Sequence, residues 1–135
     1  MTAHQSLLPP GWTRPRGYAN GVAATGRMVF TAGVVGWDTD ERFVAPDLAG
    51  QFRQVLLNTL AILAEGGADP EHIVRMTWYV TSRDEYLASL PAIGDAYRDL
   101  IGKNYPAMAV VEVVALVEAE AKIEIETIAV VPNAA

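Results

Sequence analysis

The 135-residue sequence contains no cysteine. Disulfides, thiolate nucleophiles and cysteine-ligated metals are thereby excluded. Histidine occurs only twice, as His4 and His72. Neither has a partner at metal-ligand spacing, so no metal is expected. Basic residues are also few, 10 against 16 acidic ones, for a formal net charge of −6. They are scattered, whereas nucleic acid and anionic membranes need clustered Lys and Arg, so neither is an expected partner. No apolar run approaches the roughly 20 residues that span a bilayer. No glycine-rich loop opens a helix, because Gly66-Gly67 closes one, and no nucleotide or other cofactor is expected. Residues 1–6 lack the basic start and apolar core of a signal peptide, so the expected location is the cytoplasm.

What is present is apolar: 51% of residues are hydrophobic, enough for one cored domain over residues 1–135. Pro9, Pro10 and Pro15 make 1–16 an extended lead-in, with Trp12 expected to pin it to the body. Residues 18–24 and 27–35 read as two strands joined into a hairpin at Thr25-Gly26. Gly33 and Gly36 mark a bulge or a close approach near the end of the second strand. Leu48, Phe52, Val55, Leu56, Leu60 and Leu63 form a helical stripe over 47–65, opened by Asp47 and stopped by Gly66-Gly67. A strand follows over 73–81, with Val74, Met76, Trp78 and Val80 on one face. Ser82 and Glu85 form a capping box for a second helix, broken or kinked at Pro91 after about two turns. Ile93, Tyr97, Leu100 and Ile101 continue its apolar stripe.

The closing stretch holds two further strands. Residues 107–116 are apolar at almost every position, the pattern of a strand buried on both faces. Residues 122–131 alternate, with Lys122, Glu124 and Glu126 opposite Ile123, Ile125 and Thr127. The order is β-β-α-β-α-β-β, an α+β arrangement with two helices on one face of a mixed sheet and room for a short strand near 42–45. Two helices cover one sheet face only. The other would be a larger apolar patch than the few hundred Å² usual on monomers, so burial against other subunits is expected.

Several segments carry a resemblance: Gly17-Tyr18, Phe30-Thr31-Ala32-Gly33, Leu57-Asn58-Thr59-Leu60, Val74-Arg75-Met76-Thr77, Tyr105-Pro106-Ala107, Val111-Glu112-Val113 and Lys122-Ile123-Glu124-Ile125-Glu126. Over residues 17–131 the sequence resembles the YjgF/YER057c/UK114 (Rid, reactive intermediate deaminase) family. The resemblance implies a chorismate-mutase-like fold of the bacillus type. It also implies a homotrimer with inward-facing sheets and a small-molecule pocket in each cleft between subunits. Active members hydrolyse imines or enamines derived from amino acids to ketones and ammonia, without a cofactor. An arginine after Pro-Ala pairs with the substrate carboxylate, and a glutamate in the last strand positions water.

Glu124 matches that glutamate and is the candidate catalytic residue; its plainer reading is a solvated strand carboxylate. Met108 stands at the arginine position, and Ala109 where a serine usually follows. Ala32-Gly33-Val34 replaces the usual Ser-Gly-Gln, and the asparagine often found in the second helix is replaced near Leu90-Pro91. Met108 offers no charge and no donor, so a substrate carboxylate buried against it would stay unpaired. The usual 2-imino acids are therefore not the expected substrates. Tyr18 matches the family's pocket tyrosine, with a surface strand aromatic as the alternative. Trp37 is either a loop anchor or a pocket wall. Tyr105 and the adaptable Met108 are further candidate substrate contacts. Glu112 is a pocket group or a salt-bridge partner, Glu126 a structural or rim residue. Trp78 reads as core or subunit interface, and Ser82 and Ser89 as helix caps.

Two functions follow. One is an enzyme that hydrolyses or tautomerises a small enamine or imine lacking the α-carboxylate, using Glu124. The other is a trimer that binds or senses a metabolite without catalysis, which the absent arginine favours. The ribonuclease activity sometimes attributed to the family is disfavoured by the acidic charge.

Overall fold

The computed structural model describes residues 4–133. Its centre is β7 (Ile123–Val131), which pairs antiparallel with β5 (Ile73–Val80) on one side and with β3 (Arg27–Phe30) and β4 (Val34–Val35) on the other. Strand β6 (Ala107–Glu112) lies parallel to β5 and forms the far edge, giving the order β3-β7-β5-β6. The alternation read in the sequence decides which way β7 faces. Ile123, Ile125, Thr127 and Ala129 are buried under the helices, while Glu124 and Glu126 face the other way.

Helix α1 (Leu48–Glu65) lays its stripe on that buried side. Leu48, Phe52, Val55, Leu56 and Leu63 are fully covered, each burial stabilising by about 1.5–3 kcal/mol. Asp47 caps its start by accepting from Gly50 N–H, and Gly66 N–H closes its end on Leu63 C=O. Ser82 Oγ likewise accepts from Glu85 N–H and opens α2 (Arg83–Ala88), which Ser89 separates from α3 (Leu90–Leu100), whose first turn holds Pro91. The Glu85 side chain does not complete the capping box. It accepts instead from Leu48 N–H at 3.0 Å and from Lys122 Nζ at 2.9 Å, tying α1, α2 and the start of β7 together.

Gln51 is a polar residue within the apolar stripe of α1, and it is 1% exposed. Its Nε2 donates to Ala45 C=O and Glu120 C=O, and its Oε1 accepts from Lys122 N–H. The amide thus fastens two loops to the core with every contact satisfied.

Four expectations need correction. The hairpin is absent: β2 (Gly21–Ala23) pairs with β1 (Gln5–Leu7), and β3 pairs with β7. Gly26 is required for a different reason, since a Cβ there would overlap Val131 C=O. Trp12 does not pin the lead-in, being 62% exposed. The strand expected over 107–116 ends at Glu112 and is buried on neither face. As an edge strand it has one neighbour, and Val114 and Val117 beyond it are fully exposed. Finally, Val74 does not share the face of Met76, Trp78 and Val80 cleanly, because a register shift between Ile73 and Arg75 buries Ile73 instead.

Other readings are refined. Between the pairs Phe30↔Ile128 and Val34↔Ile125, the β3–β4 segment carries one more residue than β7, as in the bulge that Gly33 suggested. The short strand near 42–45 is reduced to one bridge, Trp37↔Phe43. His4 Nε2 contacts His72 C=O at 3.1 Å.

Candidate functional site

The predicted site residues fall into two groups on opposite faces of the sheet. Tyr18, Tyr105 and Met108 come together on the helix-covered side, in a cavity of about 450 Å³ at the β6 edge. Trp78, Tyr86 and Tyr97 complete its aromatic lining. Ala19 N–H donates to Pro106 C=O at 2.9 Å, which brings the Gly17-Tyr18 segment alongside the start of β6. Tyr97 Oη donates to Asn104 C=O at 2.5 Å, and Asn104 Nδ2 donates to Ile101 C=O at the end of α3. That turn sets Tyr105 flat on Tyr97, with centroids 5.7 Å apart and planes 7° from parallel. Burial, with Tyr105 nearby, pushes the Tyr97 phenol far above its ordinary range, so it stays a neutral wall. Burial also raises the Tyr86 phenol.

Met108 sits opposite Met76 in the β5–β6 register and shares its face. Trp78 packs on Phe52 with centroids 4.9 Å apart and is buried, as read from the sequence, yet it also lines the cavity. Its Nε1–H is buried without a partner among the described residues.

Glu124 belongs to the second group, on the open face opposite Tyr79 and Val35. It is half-buried and makes no side-chain hydrogen bond among the described residues. Room for its carboxyl group comes from Gly33: a Cβ there would lie 2.8 Å from Glu124 Cδ, so the carboxyl group would have to swing aside. The glycine that suggested a close approach is therefore where a carboxylate side chain crosses the strand. Asn58 on α1 holds this edge in place, its Nδ2 donating to Val35 C=O and Trp37 C=O at 3.1 and 2.7 Å.

Trp37 packs edge-on against Phe43, with centroids 5.9 Å apart. It anchors the 38–43 turn, where Asp38 accepts from Asp40 and Arg42 N–H and is thereby held below the ordinary carboxylate range. It does not line the aromatic cavity. Glu126 accepts from Tyr79 Oη at 2.8 Å, which raises that phenol above its usual value. Glu112 accepts from Arg83 N–H at 2.7 Å, which sets its carboxylate at the start of α2 and outside the lining of the aromatic cavity.

Asp69, Glu71 and His72 bring potential ligand atoms within 4.8 Å of one another, correcting the view that His72 has no such neighbours. His72 Nδ1 already accepts from Asp69 N–H, and both carboxylates are exposed. The cluster reads as the cap of the Pro70–His72 turn.

The profile of the family described as Endoribonuclease L-PSP matches residues 13–131. The chain belongs to the YjgF/YER057c/UK114 (Rid) family. It is 34% identical over 113 residues to the 2-iminobutanoate/2-iminopropanoate deaminase of Escherichia coli (strain K12), covering 84% of this chain and 86% of that one. The fold matches the Rid-family protein YyfB of Yersinia pestis at a TM-score of 0.83 and 31% identity, over 96% of this chain and 99% of the other. It also matches Escherichia coli TdcF, solved with bound serine, at a TM-score of 0.67 and 30% identity, over 90% and 92%. The family's fold thus extends to this chain. No helix among the described residues is long and apolar enough to cross a membrane.

Proposed function

We propose that this protein hydrolyses or tautomerises a small enamine or imine that lacks the α-carboxylate of the usual 2-imino acids, in clefts between the subunits of a cytoplasmic homotrimer. The observation that carries this reading is Glu124, a carboxyl group with no hydrogen-bond partner among the described residues, accommodated beside Gly33. In that position it can accept a proton from water as the oxygen attacks a C=N carbon. The resulting carbinolamine collapses, the C–N bond breaks, and a carbonyl compound and ammonia leave. An enamine first takes a proton at carbon to give the iminium ion, which enters the same path. No redox step or cofactor is needed.

The two-chain cleft is supported by geometry. Met108 and Glu124 lie two strands and three register positions apart, roughly 14 Å between backbones, and point to opposite faces. One chain cannot offer both to one small substrate. The open face also exposes Met28 and Phe30, at 55% and 61%, beside the carboxylates, as a subunit contact would require. Tyr18, Tyr105 and Met108 from one copy would then meet Glu124 of the next.

The assay is ammonia release from neutral enamines beside 2-iminopropionate. Turnover of a neutral enamine that Glu124→Gln abolishes supports the proposal. Full rates on 2-iminopropionate would overturn the role given to Met108. The second reading, a binding or sensing trimer without catalysis, is favoured by the same Met108, and its signature is ligand binding with no turnover.

A further inference from the structure

Met108 leaves the floor of the aromatic cavity uncharged, but its lining is not without charge. Arg16 and Arg98 both line it and no acidic side chain does. In a chain of net charge −6 this is a local reversal of sign. Arg16 is exposed and makes no ion pair among the described residues. Arg98 lies over Gly94, where no side chain blocks it: a Cβ there would be 3.3 Å from Nη1. It contacts Asp95 at 2.6 Å, but the two side chains are 59% and 73% exposed, and exposed pairs of this kind are weak. Arg16 is therefore free to take an anion, and Arg98 can exchange its exposed Asp95 contact for a better-placed one.

The cavity they line suits a flat ring. At about 450 Å³ it is in the range of pockets for ligands much larger than a three- or four-carbon imino acid. The parallel Tyr97–Tyr105 pair supplies a planar wall, and the thioether of Met108 packs well against aromatic carbon. Resting on the reading above, we propose that the charge anchor has moved from strand β6 to the cavity mouth. The substrate class is then an aromatic or extended conjugated acid, its ring against Tyr105 and Met108. Its carboxylate is held by Arg16 and Arg98, several atoms away from the C=N or enamine carbon. Bidentate guanidinium–carboxylate bonds at the mouth replace those that position 108 cannot make.

The test uses trans-cinnamate and its neutral isostere cinnamamide as probes, titrated into the full-length protein by calorimetry. Cinnamate should bind about tenfold tighter or better, a difference of about 1.4 kcal/mol. An Arg16→Gln/Arg98→Gln double variant should erase the preference while leaving cinnamamide affinity within about twofold, since ring stacking is untouched. Arg16→Lys/Arg98→Lys should restore part of it by charge alone. Both positions are exposed, so folding is preserved, as unchanged circular dichroism will show. Equal affinity for acid and amide, or a preference that survives the double Gln variant, overturns the proposal. Failure of cinnamate binding with Glu124-dependent turnover of a neutral enamine sinks the anchor and leaves the chemistry standing. Arginine-dependent cinnamate binding without turnover of any enamine keeps the anchor and removes the chemistry.

Discussion

The two faces of the central sheet differ in kind. On the helix-covered face, Met76, Ile123 and Ile125 are fully buried, and the sheet edge opens into an aromatic cavity ending in Tyr18, Tyr105 and Met108. On the other face no helix lies over Glu124, Glu126 and Tyr79, and Met28 and Phe30 stand exposed beside them. The proposed recognition groups are thus gathered on one side and the proposed reactive carboxyl group on the other. A β-strand imposes this, because neighbouring side chains point to opposite faces. A site that needs both must draw them from two copies of the chain.

The comparison is broken most severely at Glu124. Glu124→Gln should lower ammonia release from an accepted enamine on the order of 10²-fold or more, with the thermal midpoint unchanged. The covered face is broken at Gln51. Gln51→Ala strands the buried Lys122 N–H and two carbonyls, and chemical denaturation should show a loss of about 2–3 kcal/mol. Phe30→Glu probes the open face: the exposed site predicts a stability change of the folded chain within about 0.5 kcal/mol. Sedimentation should nevertheless show smaller species, and an unchanged size would remove Phe30 from the contact.

The smallest effect concerns acid. Lys122 and the Leu48 N–H hold Glu85 below its ordinary value of 4.5 against the opposing pull of burial. A depressed folded-state pKa stabilises the protein above the unfolded value, and that contribution is lost as pH falls through the folded one. Glu85→Gln should therefore be less stable than the wild type at pH 7 by about 1 kcal/mol or less, the side chains being partly exposed. The gap should narrow as pH falls below 4.5 and on through the lower folded-state value; denaturation midpoints at pH 7 and at a series of lower pH values measure it. A gap independent of pH would show that Glu85 acts by shape alone.

The sequence disclosed elements whose own pattern decides them. The α1 stripe, its caps and the alternation of β7 were legible because period and terminal residues agree. The hairpin misread has a simple cause: Gly21–Ala23 is too short to carry a facial pattern, so tertiary pairing with β1 chose its partner. The Val/Ala run was ambiguous, since the same composition suits a buried strand or an edge strand and loop awaiting a partner. Gln51 could have been found as a polar residue inside the apolar stripe. The meeting of Arg16, Trp78, Tyr97 and Arg98 could not, because three separate segments converge there and none carries a local signal. Glu124 and Met108 were singled out by resemblance, and only the register shows that they face apart.

Subunit complementation tests the two-chain site most directly. Glu124→Gln chains keep the aromatic cavity, while Tyr18→Ala/Tyr105→Ala chains keep Glu124. Each is predicted to be nearly inactive alone. Co-refolded in equal amounts, they should regain activity, since about a quarter of the clefts in a randomly mixed cyclic oligomer would join an intact Glu124 to an intact cavity. Activity no greater than the sum of the separate variants, in oligomers shown to be mixed, would contradict a site shared between subunits.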